Sequence, residues 1–208
     1  MRYDITRALT PRTAVFPGDT PVSITPVMQI KAGDSCNVTS ITMSAHAGTH
    51  VDAPLHYADD QVGIDAVSLD VLIGPARVVT LNAGDVITID DLQTALGDAP
   101  FTRLLIHTRA SDVPDDVWQP DFVCFEPAAA AWLGERGCRL GGTDAPSGDP
   151  AASRDLPAHK AFLHGNVIIM ENLCLASVPD GTYELIALPL RIAGNDAAPA
   201  RVILRNSN

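Results

Sequence analysis

The stretch Leu156-Pro-Ala-His159-Lys-Ala-Phe-Leu-His164-Gly165-Asn166-Val167-Ile-Ile-Met170-Glu171 decides the fold class. Its first part, Leu156 to His164, reads as a helix that follows Ser153 or Asp155 as a cap and stops at Gly165. Its second part, Val167 to Met170, is an unbroken apolar run entered through a turn at Gly165-Asn166, which is the pattern of a strand. A helix handed directly to an apolar strand is the unit from which α/β sheets are built. The same alternation recurs upstream. Helices are expected over Ile89 to Leu96, behind Thr88 as a cap and ending at Gly97, and over Pro127 to Arg136, opening with proline and ending at Gly137. Strands are expected over Ala76 to Leu81, Arg103 to Thr108 and Phe122 to Phe125, and again over Tyr183 to Leu188 and Arg201 to Leu204. Nearer the N-terminus, Arg2 to Leu9, Val22 to Ile30 and Asn37 to Ala45 follow one another without helices, as antiparallel hairpins do. The expected fold is α/β: one domain over residues 1–208, with a mixed, strand-rich sheet and a few flanking helices.

The rest of the composition narrows the class of function. At 208 residues the chain is long enough for one well-buried core, and no Gly/Ser/Pro-rich linker divides it. It is 46% hydrophobic, yet no apolar run approaches the roughly 18 residues of a membrane span. Met1-Arg-Tyr-Asp-Ile-Thr6 enters a strand pattern and lacks the apolar core of a signal peptide, so a cytoplasmic protein is expected. Cys36, Cys124, Cys138 and Cys174 are widely spaced, form no CxxC and read as buried thiols in a reducing compartment. A formal net charge of −11 argues against nucleic acid as a partner, because a phosphate backbone needs a basic face. There is no G-x-S-x-G elbow, no Walker A and no G-x-G-x-x-G, which removes serine-hydrolase and nucleotide chemistry.

Function is concentrated elsewhere, in His46-Ala-Gly-Thr-His50-Val-Asp52-Ala-Pro-Leu-His56. Imidazole and carboxylate are the ordinary protein ligands of a borderline or hard divalent ion, and four N/O donors with no nearby thiol suit Zn²⁺, with Mn²⁺ or Fe²⁺ accepting the same set. From Asn37 onward the chain alternates, placing Val38, Ser40, Thr42, Ser44 and His46 on one face, so His46 is expected to close a strand. Gly48 then permits a turn, and His50 and Asp52, two residues apart, project the same way if the chain re-extends. Downstream, His159 in the helix and Glu171 at the end of Val-Ile-Ile-Met are brought together if helix and strand fold back on each other. Position alone leaves each of them open between ligand and surface residue, and leaves His56 open between proton transfer, ligation and a structural role. His107 reads as a sheet residue and His164 as a helix C-terminal one, and both stay outside the site. Asp144 and Ser147 form a loop that could supply hydrogen bonds behind the ligands.

The pattern His46-x-Gly-Thr-His50-x-Asp52-x-Pro-x-His56 resembles the signature of the cyclase-type metal-dependent hydrolases. Phe16-Pro-Gly-Asp-Thr-Pro, Asp144-Ala-Pro-Ser, Ala158-His159, Glu171-Asn172-Leu-x-Leu and Gly181-Thr-Tyr-Glu-Leu-Ile-Ala-Leu-Pro-Leu resemble the bacterial kynurenine formamidases (arylformamidases) within that family. The likeness runs nearly end to end. It implies a cyclase-like swivelling β/β/α fold and two zinc ions. One would be held by His46, His50 and Asp52, the other by Asp52, His159 and Glu171, with Asp52 as the bridge. It further implies that His56 transfers protons, that Phe16 touches the substrate, and that the protein is a homodimer. Phe16 stands where relatives often have Trp, and Tyr57 where they often have Phe; neither change removes a ligand.

The reaction so implied is hydrolysis of N-formyl-L-kynurenine to L-kynurenine and formate, a step of tryptophan degradation. A formamide resists hydrolysis because its carbonyl is weakly electrophilic and water is a poor nucleophile at neutral pH, and a metal site answers both problems. The same equipment would serve a related cyclic or aryl amide hydrolase, such as an isatin hydrolase using Mn²⁺. A reading of another class is a binding or structural protein whose ions only tie strands together, with every coordination position filled by protein.

Overall fold

The structure, a computed structural model, describes residues 1–206. The chain opens with β1 (Arg2–Asp4), then makes a hairpin of β2 (Ser23–Met28) and β3 (Val38–Thr42) and a short strand β4 (His50–Asp52). Helix α1 (Leu69–Leu72) leads into β5 (Ile73–Thr80), β6 (Val86–Ile87), α2 (Ile89–Leu96) and β7 (Arg103–His107). Then come β8 (Cys124–Phe125), α3 (Pro127–Glu135), β9 (Leu140–Thr143), α4 (Pro157–His164) and β10 (Ile168–Glu171). A long hairpin of β11 (Gly181–Pro189) and β12 (Ala197–Asn206) follows.

Eight strands form one sheet in the order β1-β12-β11-β5-β7-β9-β10-β4, and β4 also pairs with β12, so the sheet curls back on itself like a barrel. Within it β5, β7, β9 and β10 run parallel, whereas β11 is antiparallel to β5 and β12, and β4 is antiparallel to β10 and β12. This is the mixed α/β sheet that the alternation of elements predicts.

Both faces of the parallel strands are covered. Leu105 faces the barrel interior with Val78, Met170 and Val202, while Leu104 and Ile106 on either side of it pack with Leu92, Leu133 and Phe162 under the helices. A strand buried on both sides has no polar face to alternate with, which is why β7 reads as a continuous apolar run. Helices α3 and α4 meet at Gly134 and Gly165, where a Cβ on Gly134 would come within 2.6 Å of Gly165 Cα, so bare backbone sets their approach.

Several elements depart from the sequence reading, each for a physical reason. Strand β9, Leu140-Gly-Gly-Thr143, was hidden because paired glycines imitate a turn. A Cβ on Gly142 would lie 2.6 Å from Leu105 Cδ2, so the glycine serves close packing in a central strand. Strand β3 ends at Thr42, and His46 stands in the turn beyond it, because Ser44 N–H bonds back to Thr20 and Ala47 N–H to Ser44. The first strand stops at Asp4, well short of Leu9. Neither Ser153 nor Asp155 caps α4: its N-cap is Leu156, in the left-handed region at φ 45° with no capping side chain of its own. Cys36 is exposed and Cys174 half-buried, so only Cys124 and Cys138 are buried thiols; burial pushes them up to about 11 and about 12, and all four are free. Among the described residues no helix is long and apolar enough to cross a membrane.

Candidate metal centre

Strand register assembles the cluster. β4 is buried along its whole length, so His50 and Asp52, at alternate positions, project from one face. Glu171 stands opposite His50 in the antiparallel β4–β10 pair, and opposed residues share a face, which brings its carboxylate beside them. His159 comes from the first turn of α4, the helix that feeds β10. His46 enters from the turn before β4, where Gly48 at φ 66° presses against Leu9 so closely that a Cβ would sit 2.8 Å from Leu9 Cδ2. His56 closes a single 3₁₀ turn that starts with Pro54.

The donor atoms converge without pairing off. Asp52 Oδ1 is 3.0 Å from His46 Nδ1 and 3.3 Å from His50 Nε2, while Oδ2 faces the other way, 3.6 Å from His159 Nε2. Glu171 stands 3.5 Å from His50 Nε2 and 3.4 Å from His159 Nε2. His50 Nδ1 is committed to the Gly48 carbonyl at 2.8 Å, which turns Nε2 toward the cluster. Despite these short separations, His50 Nε2 and both oxygens of Asp52 are buried with no hydrogen-bond partner among the described residues. Buried lone pairs left in this condition cost about 1–3 kcal/mol each unless something else satisfies them. Donor atoms of His46, Asp52 and His56 lie within 4.8 Å of one another, as do those of His50, Asp52 and Glu171, so Asp52 belongs to both groups. A divalent cation fits this donor set. It would satisfy the orphaned atoms and neutralise two carboxylates that are 0% and 3% exposed.

Electrostatics agree with that fit. Burial opposes charge on His50, but Asp52 and Glu171 beside it push its pKa up to about 10. Burial likewise opposes charge on His46 and His159, and the neighbouring carboxylates nonetheless raise both. Asp52 and Glu171 are in turn held below the usual carboxylate range by the imidazoles, against the cost of their burial. Protons on the histidines thus do what a cation would do, and metal binding exchanges one for the other.

Above the cluster lies a cavity of about 270 Å³ lined by His46, His56, His159 and Glu171 at one end and by Phe16, Val113, Trp118 and Phe122 at the other. Phe16 and Trp118 stand edge to face with centroids 5.1 Å apart, and Trp118 continues to Phe122 at 6.1 Å. Asp144 and Ser147 also reach the lining, but the Asp144 carboxylate is taken up by Thr108 and Ser111. His107 ends β7 beside Thr80 and His164 ends α4, so both are outside the site, as expected.

Residues 3–150 match the family described as "Putative cyclase". Over 205 residues, 98% of this chain and 97% of the relative, the sequence is 44% identical to the kynurenine formamidase of Salinibacter ruber (strain DSM 13855 / M31). The chain belongs to the cyclase family. Among solved structures, a potential metal-dependent hydrolase with cyclase activity superposes with a TM-score of 0.85 at 31% identity, covering 98% of this chain and 96% of that one. Isatin hydrolase A from Labrenzia aggregata, bound to benzyl benzoate, gives 0.84 at 24% identity over 100% and 94%, a likeness of fold.

In this cyclase-family chain the sequence reading overlooked three residues. Trp118 carried a local signal, being a lone indole in the Pro- and Asp-rich run Val113-Pro-Asp-Asp-Val-Trp-Gln-Pro120. Asp149 and Asp196 carried none. Asp196 comes from the bend just before the last hairpin's second strand, and its Oδ2 lies 3.1 Å from His46 Nε2 and 3.7 Å from His56 Nδ1, contacts that the pairing of β12 with β4 creates.

Proposed function

We propose that this chain hydrolyses N-formyl-L-kynurenine to L-kynurenine and formate, using two divalent ions, Zn²⁺ in the first instance, held by His46, His50 and Asp52 and by Asp52, His159 and Glu171. The observation that carries the reading is the pool of unpaired buried donors on His50 and Asp52, enclosed by His46, His159 and Glu171, which line an aromatic-walled cavity. The relative named kynurenine formamidase supports the choice of substrate. When bound, the ions supply Lewis acidity, lowering the pKa of water from about 15.7 to roughly 7 and polarising the formyl carbonyl.

The chain's own residues do the rest. Phe16 and Trp118 bind the aryl ring; the cavity exceeds the roughly 150 Å³ that admits a benzene. His56 faces Asp196 through Nδ1, so Nε2 is the nitrogen that takes the proton of the attacking water and delivers it to the departing arylamine nitrogen. Burial lowers the pKa of His56, which leaves its imidazole neutral and able to accept that proton near neutral pH. The water oxygen ends in formate, the C–N bond breaks, and the nitrogen departs with the proton.

The working form we assign is a homodimer in the cytoplasm. Among the described residues the β2–β3 hairpin pairs with no other strand, and the hairpin and its connecting turn expose Ile24, Val27, Ile30, Val38 and Ile41, apolar surface suited to a second copy. Four free thiols suit a reducing compartment. The test is a metal-analysed preparation assayed for formate release from N-formyl-L-kynurenine beside ring opening of isatin. Two ions per chain and turnover of the formamide are expected. Faster turnover of isatin would move the assignment to a cyclic amide hydrolase, and turnover of neither would leave a binding protein.

A further inference from the structure

Asp149 lies behind the metal centre, 1% exposed, and does not line the cavity. Its Oδ1 accepts from Ala158 N–H at 2.9 Å, and its Oδ2 from His159 N–H at 3.0 Å and from His159 Nδ1 at 2.6 Å. The first two bonds satisfy donors at the start of α4 that Leu156, an N-cap without a polar side chain, leaves open. The third bond does something different. With Nδ1 donating to Asp149, Nε2 is the nitrogen left to face Asp52 Oδ2 and Glu171 Oε1 at 3.6 and 3.4 Å.

The loop that carries Asp149 holds the neighbouring carboxylate too. Gly148 N–H donates to Glu171 Oε1 at 2.7 Å. Four residues upstream of Gly148, Asp144 receives both the backbone N–H and the hydroxyl of Thr108 and of Ser111, at 2.7 to 3.0 Å, which pins the start of the loop to the chain beyond β7.

We infer that Asp149 is a positioning residue for the half of the centre formed by His159 and Glu171: one carboxylate both caps α4 and sets the tautomer, ring plane and basicity of His159. The inference rests on the metal-dependent reading above. Partners of this kind typically account for 10- to 100-fold in metal affinity when removed. The two duties of Asp149 are partly separable by substitution. Asparagine has a single acceptor oxygen, so Asp149→Asn can still cap Ala158 N–H, but it then sets an NH2 donor against His159 N–H and Nδ1 and no longer accepts from Nδ1–H. Asp149→Ala removes both.

The experiment measures zinc affinity by competition with a chromophoric chelator, and thermal midpoints of the chelator-treated proteins, for the parent and both variants. Asp149→Asn is expected to weaken zinc binding at one of the two sites by about 10- to 100-fold while its chelated midpoint falls less than that of Asp149→Ala. Asp149→Ala is expected to lose both affinity and midpoint. Parental zinc affinity in Asp149→Asn overturns the inference while leaving the proposed function intact. So does a loss of affinity in the two variants that only tracks their loss of stability, since the residue is then a cap alone. A parent that takes up no zinc overturns the metal-dependent reading and this one together.

Discussion

The floor of the site is the buried cluster of His50, Asp52, Glu171 and His159, which are 1%, 0%, 3% and 2% exposed, stand on β4, β10 and α4 and meet the cavity through Glu171 and His159, whereas Phe16, Val113 and Trp118 line the cavity from loops and form its wall. The floor is held by ladder hydrogen bonds on both sides of β4, which fix the backbone that carries His50, Asp52 and Glu171, and by α4, which feeds β10 and carries His159. The wall is held by fewer and longer-range ties, among them the Phe16–Trp118 edge contact and the bonds of Arg7 to the loop. Chemistry that depends on sub-ångström placement belongs on the former; recognition of a flat, apolar ring tolerates the latter. Substitutions at the floor should therefore strike metal content and kcat, and those at the wall should strike KM.

The largest effect is expected at Asp52, whose two oxygens face different histidines. Asp52→Asn keeps the shape but removes the charge that would let the two proposed cations sit close together, so metal and activity should disappear together. Elemental analysis of the purified variant alongside formate release decides it; retained metal with retained turnover would show that Asp52 is not a bridge. Next comes His56, which is more exposed than the other imidazoles of the cluster, with a side chain 29% exposed. His56→Gln should keep nearly full metal while kcat falls about 10²- to 10⁴-fold, the usual worth of a positioned acid or base. A metal-depleted His56→Gln protein whose rate returns on added zinc would make His56 a ligand, a role its 4.8 Å grouping with His46 and Asp52 leaves sterically open.

The contrast between floor and wall also governs what could be read from the sequence. Candidate site residues cluster within eleven residues because β4 and the turns around it supply four of the six histidine and carboxylate positions locally, and this density is visible as letters. Helix α2 was legible for an equally local reason, since Thr88 and Asp91 form a reciprocal capping box. What escaped is long-range. Strand β9 is required at the sheet's centre by its neighbours β7 and β10, not by its own Gly-Gly pair. Asp149 and Asp196 reach His159 and His46 only after α4 docks and β12 closes on β4. The wall was half legible: Phe16 through resemblance, Trp118 only as a lone indole in a loop run whose role shows once the fold brings Phe16 against it.

Phe16→Ala tests the wall directly. Edge-to-face aromatic pairs contribute about 0.5–1.5 kcal/mol beyond area burial, and the truncation also removes apolar contact with the substrate, so KM should rise roughly tenfold or more with metal content unchanged. Trp118→Ala should behave alike, since the two rings share one contact. An unchanged KM in both would remove the aromatic pair from substrate binding.

The smallest effect, and the sharpest probe of the comparison, is expected at Arg7. Its guanidinium donates to the carbonyls of Ala110 at 2.9 Å and Val113 at 3.2 Å and to Asp115 at 2.7 Å, while its backbone N–H reaches the Thr49 hydroxyl next to His50. The residue therefore touches wall and floor at once, the wall through its side chain and the floor through its backbone. Arg7→Lys leaves the backbone bond to Thr49 intact but cannot reproduce a planar fork that meets two carbonyls and a carboxylate together. Losing one or two such bonds, each worth about 0.5–1.5 kcal/mol net, loosens the 110–115 segment that carries Val113 into the cavity. KM should rise about threefold, with kcat and zinc affinity at parental values. If kcat or zinc affinity fell instead, wall and floor would be one mechanical unit, and the separation of binding from chemistry drawn from their different construction would be wrong.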